Sequence, residues 1–196
     1  MSRAGLPDPE KLEMSKLEVL PGPLYGLVAW PSTELDRWLR AQQLRLGVRA
    51  YGEPHLNLRA PFPISGTEDE LVSVLRSVLG GVPCFDVQIR GWRTFPGVVF
   101  LECVRSAALE TLHEQVLALK SAPPQPYDQK DYIPHLTLAL GILPWFQEQL
   151  ESELTRLPPP VMTFEVSALS LTREAGGEVR EVRTFPLKSA TRGVNR

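Results

Sequence analysis

One stretch of this chain is nearly repeated. Pro54-His55-Leu56-Asn57-Leu58 returns as Pro134-His135-Leu136-Thr137-Leu138. Each copy alternates apolar and polar side chains, which is the period of an extended strand with one buried face. Leu56 and Leu58 therefore point one way, and His55 and Asn57 the other. Leu136 and Leu138 stand in the same relation to His135 and Thr137. A fold that holds both copies contains two matched strands, each anchored by leucines under helices. Each strand presents a histidine beside a short hydrogen-bonding residue. If a pseudo-twofold relates the copies, the two histidines face each other across a groove. Arg59 shares the parity of His55 and Asn57 and is a candidate for the same groove; a surface residue or an ion-pair partner is its ordinary alternative.

The rest of the chain reads as strands and helices around these copies. Leu24–Trp30 is an apolar strand bounded by Pro23 and Pro31. Ser32 or Thr33 caps a helix to about Leu46, with Leu35, Trp38, Leu39 and Gln42 near one face. The first-copy strand, His55–Ala60, is expected to end at Pro61 and Pro63. Thr67 and Glu70 have capping-box spacing and open a helix to about Leu79. Its stripe is Leu71, Val74, Leu75 and Val78, and Gly80-Gly81 stops it. Phe85, Val87 and Ile89 alternate with polar residues as a half-buried strand; the Phe95-Pro96-Gly97 corner then leads to an apolar strand over Val98–Val104. A helix over about Ala107–Lys120 turns Leu109, Leu112, Val116 and Leu119 inward.

The loop Ser121–Pro134 precedes the second copy, and its length points to binding. After the strand His135–Leu140 come a helix (about Pro144–Leu157) and two closing strands, Met162–Thr172 and Val179–Leu187, joined across Gly176-Gly177. This order predicts the α+β class. The expected architecture is a bilobal, duplicated fold, with two mostly antiparallel sheets lining a central groove and helices packed outside. Residues 1–22 are read as a loosely ordered extension with a short helical turn around Glu10–Leu17. Residues 23–190 form the single bilobal domain and 191–196 a tail.

Bulk properties restrict the partners. A chain of 196 residues is long enough to bury one proper core. No apolar run reaches the roughly 18 residues that a membrane span needs. The first residues carry acidic side chains and lack the apolar segment of a secretory signal, so a cytoplasmic protein with no membrane partner is expected. The formal charge of −2 lacks the basic excess with which proteins grip long nucleic acids. RNA 3′ ends or small cyclic nucleotides are the easier partners, for a chain expected to act as a monomer. Cys84 and Cys103 sit in apolar runs without a CxxC partner and are read as small buried side chains.

Two facing imidazoles suit phosphoryl chemistry. An unperturbed pKa near 6.5 lets each ring take either protonation state near neutrality. One ring deprotonates a water or hydroxyl while the other protonates the departing oxygen. A Thr hydroxyl, an Asn amide or an Arg then steadies the phosphate oxygens as charge develops. A zinc site would need a third ligand; Glu53 has the right parity, but its counterpart in the second copy is Ile133, so no metal is expected.

The two motifs resemble the HxTx signatures of the 2H phosphoesterase superfamily, in particular the bacterial 2′-5′ RNA ligase / RNA 2′,3′-cyclic phosphodiesterase family. The resemblance covers nearly the whole chain after residue 22. It implies a metal-independent phosphodiesterase that opens 2′,3′-cyclic phosphates to 2′-phosphates, with possible reversible 2′-5′ ligation and no cofactor. By position, His55 and His135 match the family's acid and base, and Thr137 matches its threonine. Asn57 stands where the family usually has Thr or Ser. A non-catalytic RNA-end or nucleotide-binding module is the alternative, with Asn57 marking lost turnover.

Further substrate candidates are Tyr132, Phe95 and Trp92, which offer stacking faces for a base, and Lys130, Arg90 and Arg93, which offer phosphate contacts. Plain packing and solvated charge are the ordinary readings of these residues. His113, mid-helix on a polar-leaning face, is read as a solvated surface residue.

Overall fold

A computed structural model of the protein describes residues 22–50, 52–129, 131–154, 156–176 and 178–189. The expected Glu10–Leu17 turn, the rest of 1–21, Lys130 and the 191–196 tail lie outside the described residues. The elements run β1 (Leu24–Ala29), α1 (Thr33–Leu46), β2 (Leu56–Phe62), α2 (Glu68–Leu79), β3 (Phe85–Phe95) and β4 (Val98–Cys103). Then follow α3 (Ala107–Leu117), β5 (His135–Leu140), α4 (Pro144–Leu154), β6 (Thr163–Val166), β7 (Ala168–Ala175) and β8 (Glu178–Pro186).

The α+β class is as expected, but the two expected sheets are halves of one. The eight strands form a single sheet in the order β6-β3-β4-β5-β2-β1-β7-β8, with antiparallel pairing between neighbours. The halves meet between β2 and β5 at one register position, Leu56 opposite Leu136. Beyond that rung the strands diverge, and their carbonyls need other partners. Two helices supply them in matching fashion. Gln43 of α1 donates to the Leu138 carbonyl at 3.0 Å, and His113 of α3 donates through Nδ1 to the Leu58 carbonyl. Leu58 and Leu138 occupy the same place in the two motifs. His113 is thus a half-buried cap on the partner strand, not the solvated residue expected.

Local chemistry sets the helices. Ser32 accepts from the Leu35 N–H at 3.3 Å, and Gly47 closes α1 at φ 63°, a conformation that costs glycine little. Both bonds of the Thr67–Glu70 capping box form, at 2.8 and 3.2 Å. The α2 stripe is rotated from expectation: Leu71, Val72, Leu75 and Leu79 are buried while Val74 is 40% exposed. Apolar residues spread over two neighbouring faces, so periodicity alone left both choices open. Leu56, Leu58, Leu136 and Leu138 are fully buried, in one core with Leu35, Leu39, Leu109, Leu112 and Val116. Cys84 and Cys103 are free thiols, the second buried and the first half-buried.

Two strand boundaries also differ. β2 continues through Pro61 to Phe62, because Pro61 falls in the register shift of the β1–β2 ladder, between the Leu27–Arg59 and Tyr25–Phe62 pairs, and the β2–β5 ladder has already ended. The expected strand Met162–Thr172 is two strands broken at Ser167. β6 pairs with β3 at one margin of the sheet, whereas β7 pairs with β1 in the other half. Truncating the seam by Leu136→Ala should cost about 2–5 kcal/mol of stability, read from urea unfolding midpoints. A loss below about 1 kcal/mol would mean that the seam is not held by its leucines.

Candidate active site

Antiparallel pairing about Leu56 and Leu136 sets Asn57 across from His135, and His55 across from Thr137. These four polar side chains share one face because the intervening leucines take the other. The two imidazoles are anchored alike. His55 Nδ1 donates to the Glu53 carbonyl at 2.6 Å, and His135 Nδ1 donates to the Ile133 carbonyl at 2.7 Å. In each case the acceptor lies two residues back, so each ring is fixed by its own strand entry. A carbonyl only accepts, so each Nδ1 carries hydrogen and Nε2 remains for chemistry.

The second nitrogens differ. Asn57 Nδ2 lies 3.1 Å from His55 Nε2 and donates to it. Among the described residues no hydrogen bond reaches His135 Nε2. Burial holds the His55 imidazole below its ordinary value; the bond to Glu53 acts the other way, and the nearby His135 adds to the lowering. The rings also keep different company. The edge of Trp30 meets His55 at 6.1 Å, while Phe100 of β4 tilts against His135 at 4.7 Å.

Two cavities flank the seam. One of about 520 Å³ holds His55 among Trp30, Arg40, Thr172 and Glu181. Glu181 is kept ionised below the usual carboxylate range by hydrogen bonds from Ser170, then Thr184, with Trp30 adding a third. The other, about 550 Å³, holds His135 with Asn57, Phe95, Phe100 and Tyr132. Both volumes fall in the range of small-molecule sites. Gly26 floors the first half: a Cβ there would come 2.9 Å from Thr172 Oγ1 and 3.8 Å from Asn57 Oδ1.

The remaining candidates separate. Phe95 is 42% exposed, faces the His135 cavity and lies under the Arg93 guanidinium at 5.0 Å. Tyr132 stacks on His113 at 4.0 Å and donates to the Asn57 carbonyl at 3.0 Å, so it supports β2 while lining the cavity. Trp92 is not brought to the groove: it stacks on Trp38 at 5.8 Å and donates to the Leu157 carbonyl. Arg90 and Arg93 both bind Glu102, at 2.8 and 3.0 Å, and Glu102 lies directly across from His135. The carboxylate of Glu53 pairs with Arg40 at 3.2 Å.

Arg59 takes one of the two alternatives expected for it, an ion pair. It lines the His135 cavity but is 1% exposed, with its guanidinium spent inward. Nε and Nη2 grip Asp128 at 3.1 and 2.6 Å, while Nη1 and Nη2 hold the Ala122 and Pro123 carbonyls. It therefore clamps the loop before the second motif. Strand parity gave its side correctly, but not the acidic residue waiting in that loop. Trp30, Thr172, Ser170, Glu181 and Phe100 were not anticipated at the site. For Ser170 and Thr172 a signal exists, since they interrupt Leu169 and Leu171 at alternate positions.

A family model described as the 2′-5′ RNA ligase superfamily matches residues 31–178, which include both motifs and every strand of the seam. The chain belongs to this superfamily. Its fold is shared by several solved structures. E. coli LigT in apo form aligns with a TM-score of 0.59 at 18% identity, covering 84% of this chain and 97% of LigT. TT0787 of Thermus thermophilus aligns at 0.57 and 16% identity, over 85% and 98%. A structure described only as a phosphoesterase aligns at 0.57 and 19%, over 84% and 98%. No match is found among curated proteins. Within this superfamily member, no described helix is long and apolar enough to cross a membrane.

The Arg59–Asp128 pair makes two expectations. Arg59→Met strands a nearly buried carboxylate and should cost about 3–5 kcal/mol in urea unfolding. Burial alone would raise the Asp128 carboxyl, but the hydrogen bonds from Arg59 and Gln125 and the Arg59 charge together hold it below its ordinary value. Its contribution is then complete above the unfolded value near 4 and is lost as pH falls through the lowered folded value. Asp128→Asn should flatten stability against pH in that acid range; an unchanged acid slope would remove Asp128 as its source.

Proposed function

We propose that the protein is a metal-independent phosphodiesterase that opens 2′,3′-cyclic phosphates of RNA 3′ ends or small nucleotides to 2′-phosphates, and that can run the step in reverse as 2′-5′ ligation. The observation that carries this reading is the twin anchoring: two imidazoles on one groove face, each with Nδ1 tied to a carbonyl two residues back. One ring takes a proton from water while the other returns one to the leaving oxygen. Thr137 and Asn57 donate to the equatorial phosphate oxygens as charge builds. Phe95, Phe100 and Tyr132 offer aromatic surface for the base. E. coli LigT has been described in complexes with 3′-AMP, with phosphate and with ATP, which supports a nucleotide as ligand here. No cofactor enters the scheme, and the protein is proposed to work in the cytoplasm as a monomer.

The alternative is a non-catalytic binding module for RNA ends or nucleotides. It draws on Asn57, whose amide covers the His55 nitrogen that catalysis needs.

The deciding assay is hydrolysis of an RNA oligonucleotide with a 2′,3′-cyclic end, in excess EDTA, with the product mapped. Wild type should yield the 2′-phosphate, and His55→Ala or His135→Ala should each lower turnover by about 10²–10⁴-fold. Tight binding without turnover by wild type would establish the binding module instead. Thr137→Ala should reduce kcat by about 10²-fold with little change in KM, since its hydroxyl serves developing charge; equal losses in both would place Thr137 in ground-state binding.

A further inference from the structure

We propose that Arg90 and Arg93 form a subsite for the phosphate on the 5′ oxygen of the nucleotide that carries the cyclic phosphate. An RNA 3′ end has that phosphate and a bare nucleoside 2′,3′-cyclic phosphate lacks it, so the subsite selects RNA ends. This inference deepens the phosphodiesterase reading and rests on it.

Strand register places the arginines. Directly paired residues of antiparallel strands share a face. Arg93 pairs with Phe100, and Phe100 with Thr137; Gly91 pairs with Glu102, and Glu102 with His135. Thr137 and His135 stand on the groove face, so Arg93, Phe100 and Glu102 stand there too. Arg90 joins them because the ladder shifts between Ile89 and Gly91, and its guanidinium reaches Glu102 at 2.8 Å. Two strand spacings, roughly 10 Å, separate Arg93 from Thr137 along this row. A phosphate held by Thr137 and the histidines thus has the arginines about one nucleotide away. The ground between is aromatic. Arg93 lies over Phe95 at 5.0 Å, Phe95 meets Phe100 at 5.5 Å, and Phe100 meets His135 at 4.7 Å. Phe95 and Phe100 line the cavity that offers stacking for the base.

Charge gives a second, independent argument and sets the direction of the strand. Glu102 accepts one hydrogen bond from each arginine, so two guanidinium charges face one carboxylate. The carboxylate lies beneath, 12% exposed, while Arg90 and Arg93 are 60% and 41% exposed. Each guanidinium has five N–H donors, and those that Glu102 leaves suit phosphate oxygens. The rest of the groove is less welcoming to an anion. Arg59 is spent on Asp128, and Asp131 adds a carboxylate on the loop side of the cavity. On the His55 side, Asp36, Glu53 and Glu181 line the cavity with Arg40, which is already bonded to Asp36 and Glu53 at 2.9 and 3.2 Å. A neighbouring phosphate there meets carboxylates, whereas one passing over β3 meets arginines. A chain of formal charge −2 can hold one neighbouring phosphate in this way without gripping a long strand.

The test compares kcat/KM on three substrates: adenosine 2′,3′-cyclic phosphate, its 5′-phosphorylated form, and the dinucleotide ApA ending in a 2′,3′-cyclic phosphate. Wild type should favour both 5′-phosphate-bearing substrates over the nucleoside by about 10–100-fold. The double substitution Arg90→Gln/Arg93→Gln should bring that ratio near one, and Arg93→Lys should keep part of it. The ratio is taken within each variant, so a loss of folded protein does not enter it. A wild-type ratio near one, or a ratio that survives the double substitution, overturns the subsite and leaves the phosphodiesterase reading intact. A gain confined to the dinucleotide would place recognition in its added nucleoside and overturns the subsite as well.

Wild type alone supplies a second measurement. Added salt screens the arginines, so kcat/KM for the dinucleotide should fall more steeply with ionic strength than for the nucleoside. A parallel fall on the two substrates overturns the subsite. Absence of turnover on all three substrates overturns the phosphodiesterase reading itself, and the subsite with it.

Discussion

Strands that diverge leave backbone groups without ladder partners, and β2 and β5 diverge on both sides of the rung between Leu56 and Leu136. Burying a lone carbonyl costs on the order of 1–3 kcal/mol, so a seam of this kind survives only if its flanks are capped. Gln43 and His113 cap the same position in opposite strands, and Tyr132 adds a hydroxyl to the Asn57 carbonyl. The divergence opens the groove, and the caps make it tolerable. The histidines stand beside the rung, where backbone position is best determined.

Much of this was legible before any coordinates. The repeated alternation in Pro54–Leu58 and Pro134–Leu138 places leucines and histidines on opposite faces, and Leu56, Leu58, Leu136 and Leu138 are indeed buried. The capping box at Thr67 and Glu70 is local chemistry, and local chemistry is what a sequence writes most directly. Pairing between distant strands is not written locally. Nothing in Thr163–Val166 or Ala168–Ala175 names β3 or β1 as its neighbour, so Trp30, Thr172 and Glu181 could not be placed around one cavity.

Arg59 and His113 show the same limit at the level of single side chains. Each was judged by parity or by helical face, and each face was judged without its tertiary partner. Arg59 meets Asp128 from a loop 69 residues further along the chain, and His113 meets a carbonyl 55 residues earlier. A buried guanidinium holding one carboxylate and two carbonyls keeps the pre-motif loop in register with β2, which is how a residue outside the chemistry helps shape the His135 cavity.

The break at Ser167 has a consequence for how the molecule is made. β7 and β8 complete the half-sheet begun by β1 and β2, although the whole second motif lies between them in the chain. The other half-sheet, β3 to β6, is one continuous stretch inserted into the first, so the first half cannot finish until the end of the chain has left the ribosome. The second motif's β4–α3–β5 unit has its neighbours close in sequence and can order early. The first histidine must wait: the wall of its cavity formed by Thr172 and Glu181 arrives last, and with it the long-range contacts that slow folding most. The two matching motifs are thus completed in the order opposite to their synthesis.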